Sequence, residues 1–287
     1  MSADRPEATV VAKLSNSTVE PNHGRVDQDG GAPLIRFANV SKFFGEGDKR
    51  VHAVDRVSFT AHRGEFVAIL GPSGCGKSTI MMLASGLIPA SAGTIEIDGR
   101  RIEKPYTDLG IVFQQDLLMD WRRVLGNVLV QPEFRGLRAR DFEPRAIELL
   151  KLVGLTGFED KYPYELSGGM RQRVSICRAL VHDPELLLMD EPFGALDALT
   201  RDQMNLDLQR IWQENRKTVL FVTHSIAEAV FLADRVLVMA PRPTRILENI
   251  TIDLPRPRHL DIREAPEFAA YVHKITHLFY QMGILRS

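Results

Sequence analysis

Cysteine, net charge and long apolar runs are all scarce in this chain, and each scarcity removes a class of explanation. Its two cysteines, Cys75 and Cys177, cannot build the disulfide framework of a small secreted domain, and they point to a reducing cytosol. Lys and Arg total 36 against 37 Asp and Glu, a formal net charge of −1. Bulk charge therefore draws the chain to no polyanion, and nucleic acid is not an expected partner. No apolar run approaches the roughly 20 residues needed to cross a bilayer, and the first residues lack a signal-type apolar core. The chain is expected to be soluble, with any membrane association made by docking on a membrane protein. Aromatic residues are missing from positions 1–33, where Ser, Asn, Asp, Gly and Pro are frequent. That segment reads as a disordered tail. The remainder suffices for one large domain or two small ones at about 150 residues each.

What is present from Leu34 onward is strand-like patterning in "LIRFANVSKFF" and "VDRVSFTAHRGEFVAIL", with turn chemistry between. The run Phe66 to Leu70 is continuously apolar, as a strand covered on both faces must be. It leads into a glycine-rich loop and the helix "KSTIMMLASGL". Over about 115–182 helical spacing dominates, with Val174, Cys177 and Val181 on one face, and this segment reads as a helical insertion. Strand–helix alternation then resumes through "ELLLMDEP", "TVLFVTH" and "RVLVMA", which argues for a mostly parallel α/β sheet with helices packed around it. Residues 255–287 form a short helical extension, with Phe268, Val272, Ile275 and Phe279 at helical spacing.

The loop Gly71 to Ser78 fits G-x-x-x-x-G-K-S and has the strand before and the helix after that the motif requires. Gly71, Pro72, Ser73, Gly74, Cys75 and Gly76 would curl backbone N–H groups around phosphate oxygens at a helix N-terminus. Lys77 would reach the β/γ-phosphates, and Ser78 would ligate Mg²⁺. Cys75 also places a thiol in the loop, which could make activity sensitive to thiol reagents according to its pKa and exposure. Asp190 ends an apolar strand and suits Mg²⁺, leaving Glu191 to orient or deprotonate an attacking water. His224 ends another strand, where an α/β sheet places ligand groups; its imidazole could hydrogen-bond the γ-phosphate and hold Glu191 and the water in line. Gln114 follows a third strand. Its amide oxygen can join the Mg²⁺ shell at the entrance to the helical insertion. Phe44 offers an aromatic face for adenine, with a core or edge-strand packing role as the alternative.

A second phosphate-directed turn complicates this picture. Ser167, Gly168 and Gly169 place a hydroxyl and open backbone at a helix start. One nucleotide could meet both loops if the insertion folded over it, or if a second copy of the chain supplied the other half in an isologous dimer.

Taken in order, "GPSGCGKST", "VFQ", "LSGGMRQR", "LLLMDEP", "ALD" and "VTH" make the chain resemble the ATP-binding-cassette ATPases of membrane transporters, over Leu34 to Val238. The resemblance implies a P-loop NTPase fold over 34–254, with an N-terminal antiparallel β region and a helical subdomain after the glutamine. It makes Gly71 to Thr79 the phosphate loop, Phe44 the adenine-stacking aromatic and Gln114 the glutamine of the Q-loop. It makes Ser167, Gly168, Gly169 and Gln172 part of the signature that caps a partner's ATP. Asp190 and Glu191 become the metal aspartate and catalytic glutamate, Asp197 the aspartate of the D-loop, and His224 the switch histidine. In this family two cassettes sandwich two ATPs, so the second phosphate site serves the other subunit's nucleotide. "DLLMDWRRVLGNV" and "HSIAEAVFLADRVLVMAPRP" look like the importer branch for nitrate, sulfonates and taurine, although that branch more often has a proline where Asp120 stands. The implied setting is the cytoplasmic face of the inner membrane, with ATP and Mg²⁺ as cofactors. Two transmembrane permease subunits would be direct partners and an extracytoplasmic solute-binding protein an indirect one. The competing readings are an exporter ATPase and a soluble cassette acting on DNA or the ribosome. The absence of sustained heptads and of a second cassette argues against the soluble reading.

Overall fold

The computed structural model describes residues 32–284. Of the tail expected over 1–33, residues 1–31 lie outside the described residues. Among the described residues, ten strands form two sheets. The larger holds β3 (Phe66–Leu70), β6 (Leu109–Val112), β7 (Leu186–Asp190), β8 (Thr218–Thr223), β9 (Arg235–Met239) and β10 (Ile246–Thr251) in the order β10-β9-β3-β8-β7-β6. Every neighbour is parallel except β10 against β9. The smaller, antiparallel sheet contains β1 (Ile35–Phe44), β2 (Val51–Ala61), β4 (Ala92–Ile97) and β5 (Arg100–Arg101) in the order β2-β1-β4-β5.

Alternation along the central strands explains their apolar runs. Phe66, Ala68 and Leu70 join one core cluster with the helices, while Val67 and Ile69 join another with the small sheet. Leu187 and Met189 divide from Leu186 and Leu188 in the same way, as do Val219 and Phe221 from Leu220 and Val222. A strand with period-2 side chains and packed layers on both faces has no polar position to spare.

Helix α1 (Lys77–Ala84) follows β3, and four helices lie between β6 and β7: α2 (Val124–Val128), α3 (Val130–Phe134), α4 (Ala139–Leu152) and α5 (Gly168–Leu180). Gly110 lets α5 approach the sheet, because a Cβ there would lie 2.3 Å from the Ala179 carbonyl oxygen. Helices α6 (Ala198–Asn215) and α7 (Ile226–Leu232) follow β7 and β8. Helix α8 (Pro266–Gln281) buries Phe268, Ile275 and Phe279 against the core and leaves Val272 partly covered. No helix among the described residues is long and apolar enough to cross a membrane.

Candidate functional site

The ends of three adjacent strands converge. Leu70 on β3 pairs with Thr223 on β8, and Val222 pairs with Asp190 on β7, so the residues that follow these pairs emerge side by side. The ammonium of Lys77, only 4% exposed, donates to the carbonyls of Gly71 and Pro72 at 3.0 Å each and lies 3.3 Å from Glu191 Oε1. The other Glu191 oxygen is 2.9 Å from His224 Nδ1. One carboxylate thus bridges the loop lysine and the exposed imidazole. Glu191 adopts φ +44, a left-handed conformation that costs a non-glycine residue about 1 kcal/mol or more and concentrates at functional sites. Its N–H donates to the Val222 carbonyl at 2.9 Å, which holds it there.

Asp190 sits beside this pair with Oδ1 buried and without a hydrogen-bond partner. Burial raises its pKa and the Glu191 charge adds to the rise; the Ser78 hydroxyl, hydrogen-bonded to it, and Lys77 oppose. A buried acceptor next to a hydroxyl suits a hard divalent cation, and the described residues hold no cluster of three His, Cys, Asp or Glu that would cage one unaided. That donor set fits a metal sharing its shell with water and phosphate.

Around this centre the loop supplies Gly74 and Ser73 as exposed positions, while Cys75 is buried at 2% exposure. Burial pushes the Cys75 thiol up despite nearby Lys77. The side chain packs inward, where a reagent cannot reach it, and its N–H donates to the Pro72 carbonyl at 3.3 Å. Gly76 takes φ +120 with Thr244 packed against it, so a side chain here would be strained and crowded. Thr79 is half-buried in the first turn of α1. Phe44 is 40% exposed at the end of β1, with the Lys42 ammonium 5.1 Å from its ring centre. Phe43 instead stacks on His52 at 4.2 Å. Gln114 is exposed, near Gly194 beyond β7.

The second turn forms a separate exposed surface. Ser167 caps α5 by accepting from the Met170 N–H at 3.3 Å, and Asp197 caps α6 by accepting from Thr200 at 3.0 Å. The Asp197 carboxyl is held low by those bonds. Gly169 packs against Thr200, while Ser167, Gly168 and the 82% exposed Leu199 face outward. No hydrogen bond or ion pair described here joins Ser167 or Gly168 to the phosphate loop. Gln172 departs from the expectation that it would help cap a nucleotide. It is 3% exposed and donates to the Phe113 carbonyl at 3.4 Å, so it packs on the segment that carries Gln114.

A family model for the ABC transporter matches residues 54–194. The chain is 47% identical over 261 residues to a taurine import ATP-binding protein from Rhizobium johnstonii, covering 88% of this chain and 99% of that one. The chain belongs to the ABC transporter ATP-binding family. An aliphatic sulfonates import ATP-binding protein from Bacillus cereus is 39% identical over 88% of this chain and 98% of its own length. Among solved structures, a dimeric ATP-binding cassette in a post-hydrolysis state, bound to ADP and Pi, superposes with a TM-score of 0.67 at 30% identity over 77% of this chain and 100% of that one.

The cassette contains positioning groups that sequence reasoning missed. Arg171 and Arg178 lie two turns apart on α5, and both hold the segment after Gln114. Arg171 Nε donates to Asp116 Oδ2 at 2.9 Å, while Arg178 donates to the Asp116 and Leu117 carbonyls at 2.7 Å each. Helix α5 and the segment after Gln114 are therefore mechanically joined. Arg242 donates to the Gly74 carbonyl at 3.1 Å from the other side of the phosphate loop. Spacing of seven on one helix was the only available hint for the arginine pair; nothing local announces Arg242.

Proposed function

We propose that this chain is the ATP-hydrolysing subunit of an importer for a small anionic solute of the sulfonate or taurine type, working as a cassette dimer. The observation that carries the reading is the Lys77–Glu191–His224 contact set at the ends of β3, β7 and β8, with the buried Asp190 Oδ1 beside it. In this reading the Gly71 to Thr79 loop and Lys77 bind the phosphates, Phe44 stacks on adenine, and Ser78, Asp190 and Gln114 hold Mg²⁺. The metal neutralises phosphate charge when bound. Glu191 orients the attacking water and accepts its proton, while His224 holds that carboxylate in place. The outward-facing Ser167 and Gly168, with Gly169 behind them and Asp197 and Leu199 alongside, meet the nucleotide of a second copy, as the dimeric architecture of the solved relative supports.

The permease-facing surface lies after Gln114. Trp121 is 76% exposed and Leu117 52%, and a neighbouring cleft of about 360 Å³ is lined by Leu125, Leu129, Glu159 and Asp160 among others. An exposed aromatic beside a part-apolar cleft suits a cytoplasmic helix of a transmembrane subunit, which supports peripheral docking on the cytoplasmic face of the inner membrane. A solute-binding protein outside the membrane completes the system; the taurine and aliphatic-sulfonate import for which the relatives are named supports the importer direction.

Replacing Glu191 by Gln tests the reading. ATP binding should persist while turnover falls about 100-fold or more, and ATP-Mg²⁺ should convert the variant to a stable dimer by light scattering. Near-normal hydrolysis, or a monomer under all conditions, would contradict the assignment.

A further inference from the structure

Arg258, in the extension beyond β10, is among the largest fully buried side chains, at 1% exposure. No carboxylate accepts from it among the described hydrogen bonds and ion pairs. Its Nη1 donates to the carbonyls of Val230 at 2.9 Å, Phe231 at 3.0 Å and Ala233 at 2.8 Å. Nη2 donates to Leu254 at 3.2 Å and Ile252 at 3.4 Å. The first three acceptors belong to the last turn of α7 and the residue after it, where a helix leaves carbonyls unpaired and carries partial negative charge. A guanidinium is suited to this task, since it offers a planar fork of N–H donors and keeps its charge even when burial depresses its pKa.

The same residue is fixed by its backbone. Gln209 on α6 accepts from the Arg258 N–H at 2.8 Å and donates to the Arg258 carbonyl at 2.8 Å. Arg256 adds a bond to the Leu232 carbonyl and an ion pair with Asp234 at 2.8 Å. Strap residues 256–258 thus tie the C-terminal end of α7 to the middle of α6. These two helices begin at functional residues: Asp197 caps α6, and α7 starts directly after His224 with Ser225 as its cap. At 1.5 Å per residue, the seven residues of α7 span about 10 Å. A rigid helix this short transmits any axial slip at its far end to His224.

We infer that Arg258 is a positioning residue for hydrolysis, locking the α7 end so that His224 Nδ1 stays within hydrogen-bond reach of Glu191. The inference rests on the proposed roles of Glu191 and His224. Burying a charge among carbonyls costs more than an apolar contact of the same size would. The three Nη1 contacts, shared between two N–H groups, restrict how α7 can slide, while the Nη2 bonds anchor the guanidinium to residues 252 and 254; apolar packing tolerates small shifts.

The test is a double-mutant cycle in the full-length protein, comparing Arg258→Met, His224→Ala and the pair. Arg258→Met should lower kcat about tenfold or more while KM for ATP stays within about twofold. On the His224→Ala background it should cost little further. Arg258→Lys, with three donors in place of the fork, should recover part of the rate. If Arg258→Met fails to fold, Gln209→Ala loosens the same strap without stranding a charge and should show a smaller kcat loss with the same non-additivity. Full multiplicativity with His224→Ala, or a rise in KM without loss of kcat, overturns the inference. A His224→Ala variant that hydrolyses ATP normally overturns instead the reading on which it rests.

Discussion

Asn127, on α2, is wholly buried and stitches together the loop that presents Trp121. Its Oδ1 accepts from the Met119 N–H at 2.7 Å, and its Nδ2 lies 2.9 Å from the Arg122 carbonyl, 3.1 Å from that of Met119 and 3.2 Å from that of Arg123. Replacing it by Ala does not strand all four groups. The Met119 carbonyl still receives the Arg122 N–H at 2.9 Å, and the Arg123 carbonyl still receives the residue 127 N–H at 2.8 Å. The Met119 N–H and Arg122 carbonyl lose their side-chain partner, and at roughly 1–3 kcal/mol per orphaned buried group the variant should lose about 2–6 kcal/mol. Asn127→Asp should be worse than Ala, because a carboxylate would face three carbonyl oxygens. Urea unfolding measures the loss. Trp121 reports the loop directly, since the only other tryptophan, Trp212, is buried at 3% exposure; quenching by acrylamide should increase in the variant. Asn127 touches none of Lys77, Glu191 or His224, so basal hydrolysis should stay within about twofold while permease-dependent uptake falls. A stability change below about 0.5 kcal/mol with unaltered quenching would refute the claim that this amide shapes the loop.

Thiol chemistry and pH supply two further checks. Cys75 and Cys177 are buried and burial raises both thiols, so iodoacetamide at neutral pH should modify neither in the native protein and ATPase activity should persist; rapid alkylation of Cys75 with loss of activity would sink this. Glu228, whose Oε2 accepts from Thr223 Oγ1 at 2.7 Å, has its carboxyl pushed up chiefly by burial. The native state therefore holds this proton to higher pH than the unfolded chain, and the Glu228 contribution to stability is lost as pH rises through the raised value. Glu228→Gln removes that loss, so the variant's stability relative to wild type should climb with pH and then level off. A difference in urea midpoint that is flat, or that shrinks with rising pH, argues against it.

The phosphate loop, the acidic strand end and the terminal histidine were legible because each depends on a few consecutive residues. Glycines permit the curl, an apolar run demands a strand covered on both faces, and the polar residue after that run sits at the strand's end. The two-phosphate-site puzzle was also legible, since "LSGG" opens a helix whatever lies around it. Periodicity identified faces, and Phe66 to Leu70 does alternate between two core clusters.

By itself, then, the sequence determined the long apolar strands, the helical character of the stretch between β6 and β7 and the short loops that carry phosphate chemistry, because those properties follow from local backbone geometry and side-chain period; the short strands β4, β5 and β10 carried no such signal. Only the tertiary structure decided which strands are neighbours. The order β3-β8-β7 brings Lys77, His224 and Glu191 into contact across long stretches of chain, and no local pattern encodes that order. Long polar side chains were the least legible. Arg171, Arg178 and Arg258 read as ordinary charged residues, and the carbonyls they grip exist as targets only once distant helix ends and loops are packed within reach. Gln172 and Cys75 show the converse: each belongs to a recognised motif, yet packing turns its side chain inward, because a motif fixes the backbone's path and the surrounding layers decide which side chains remain outside.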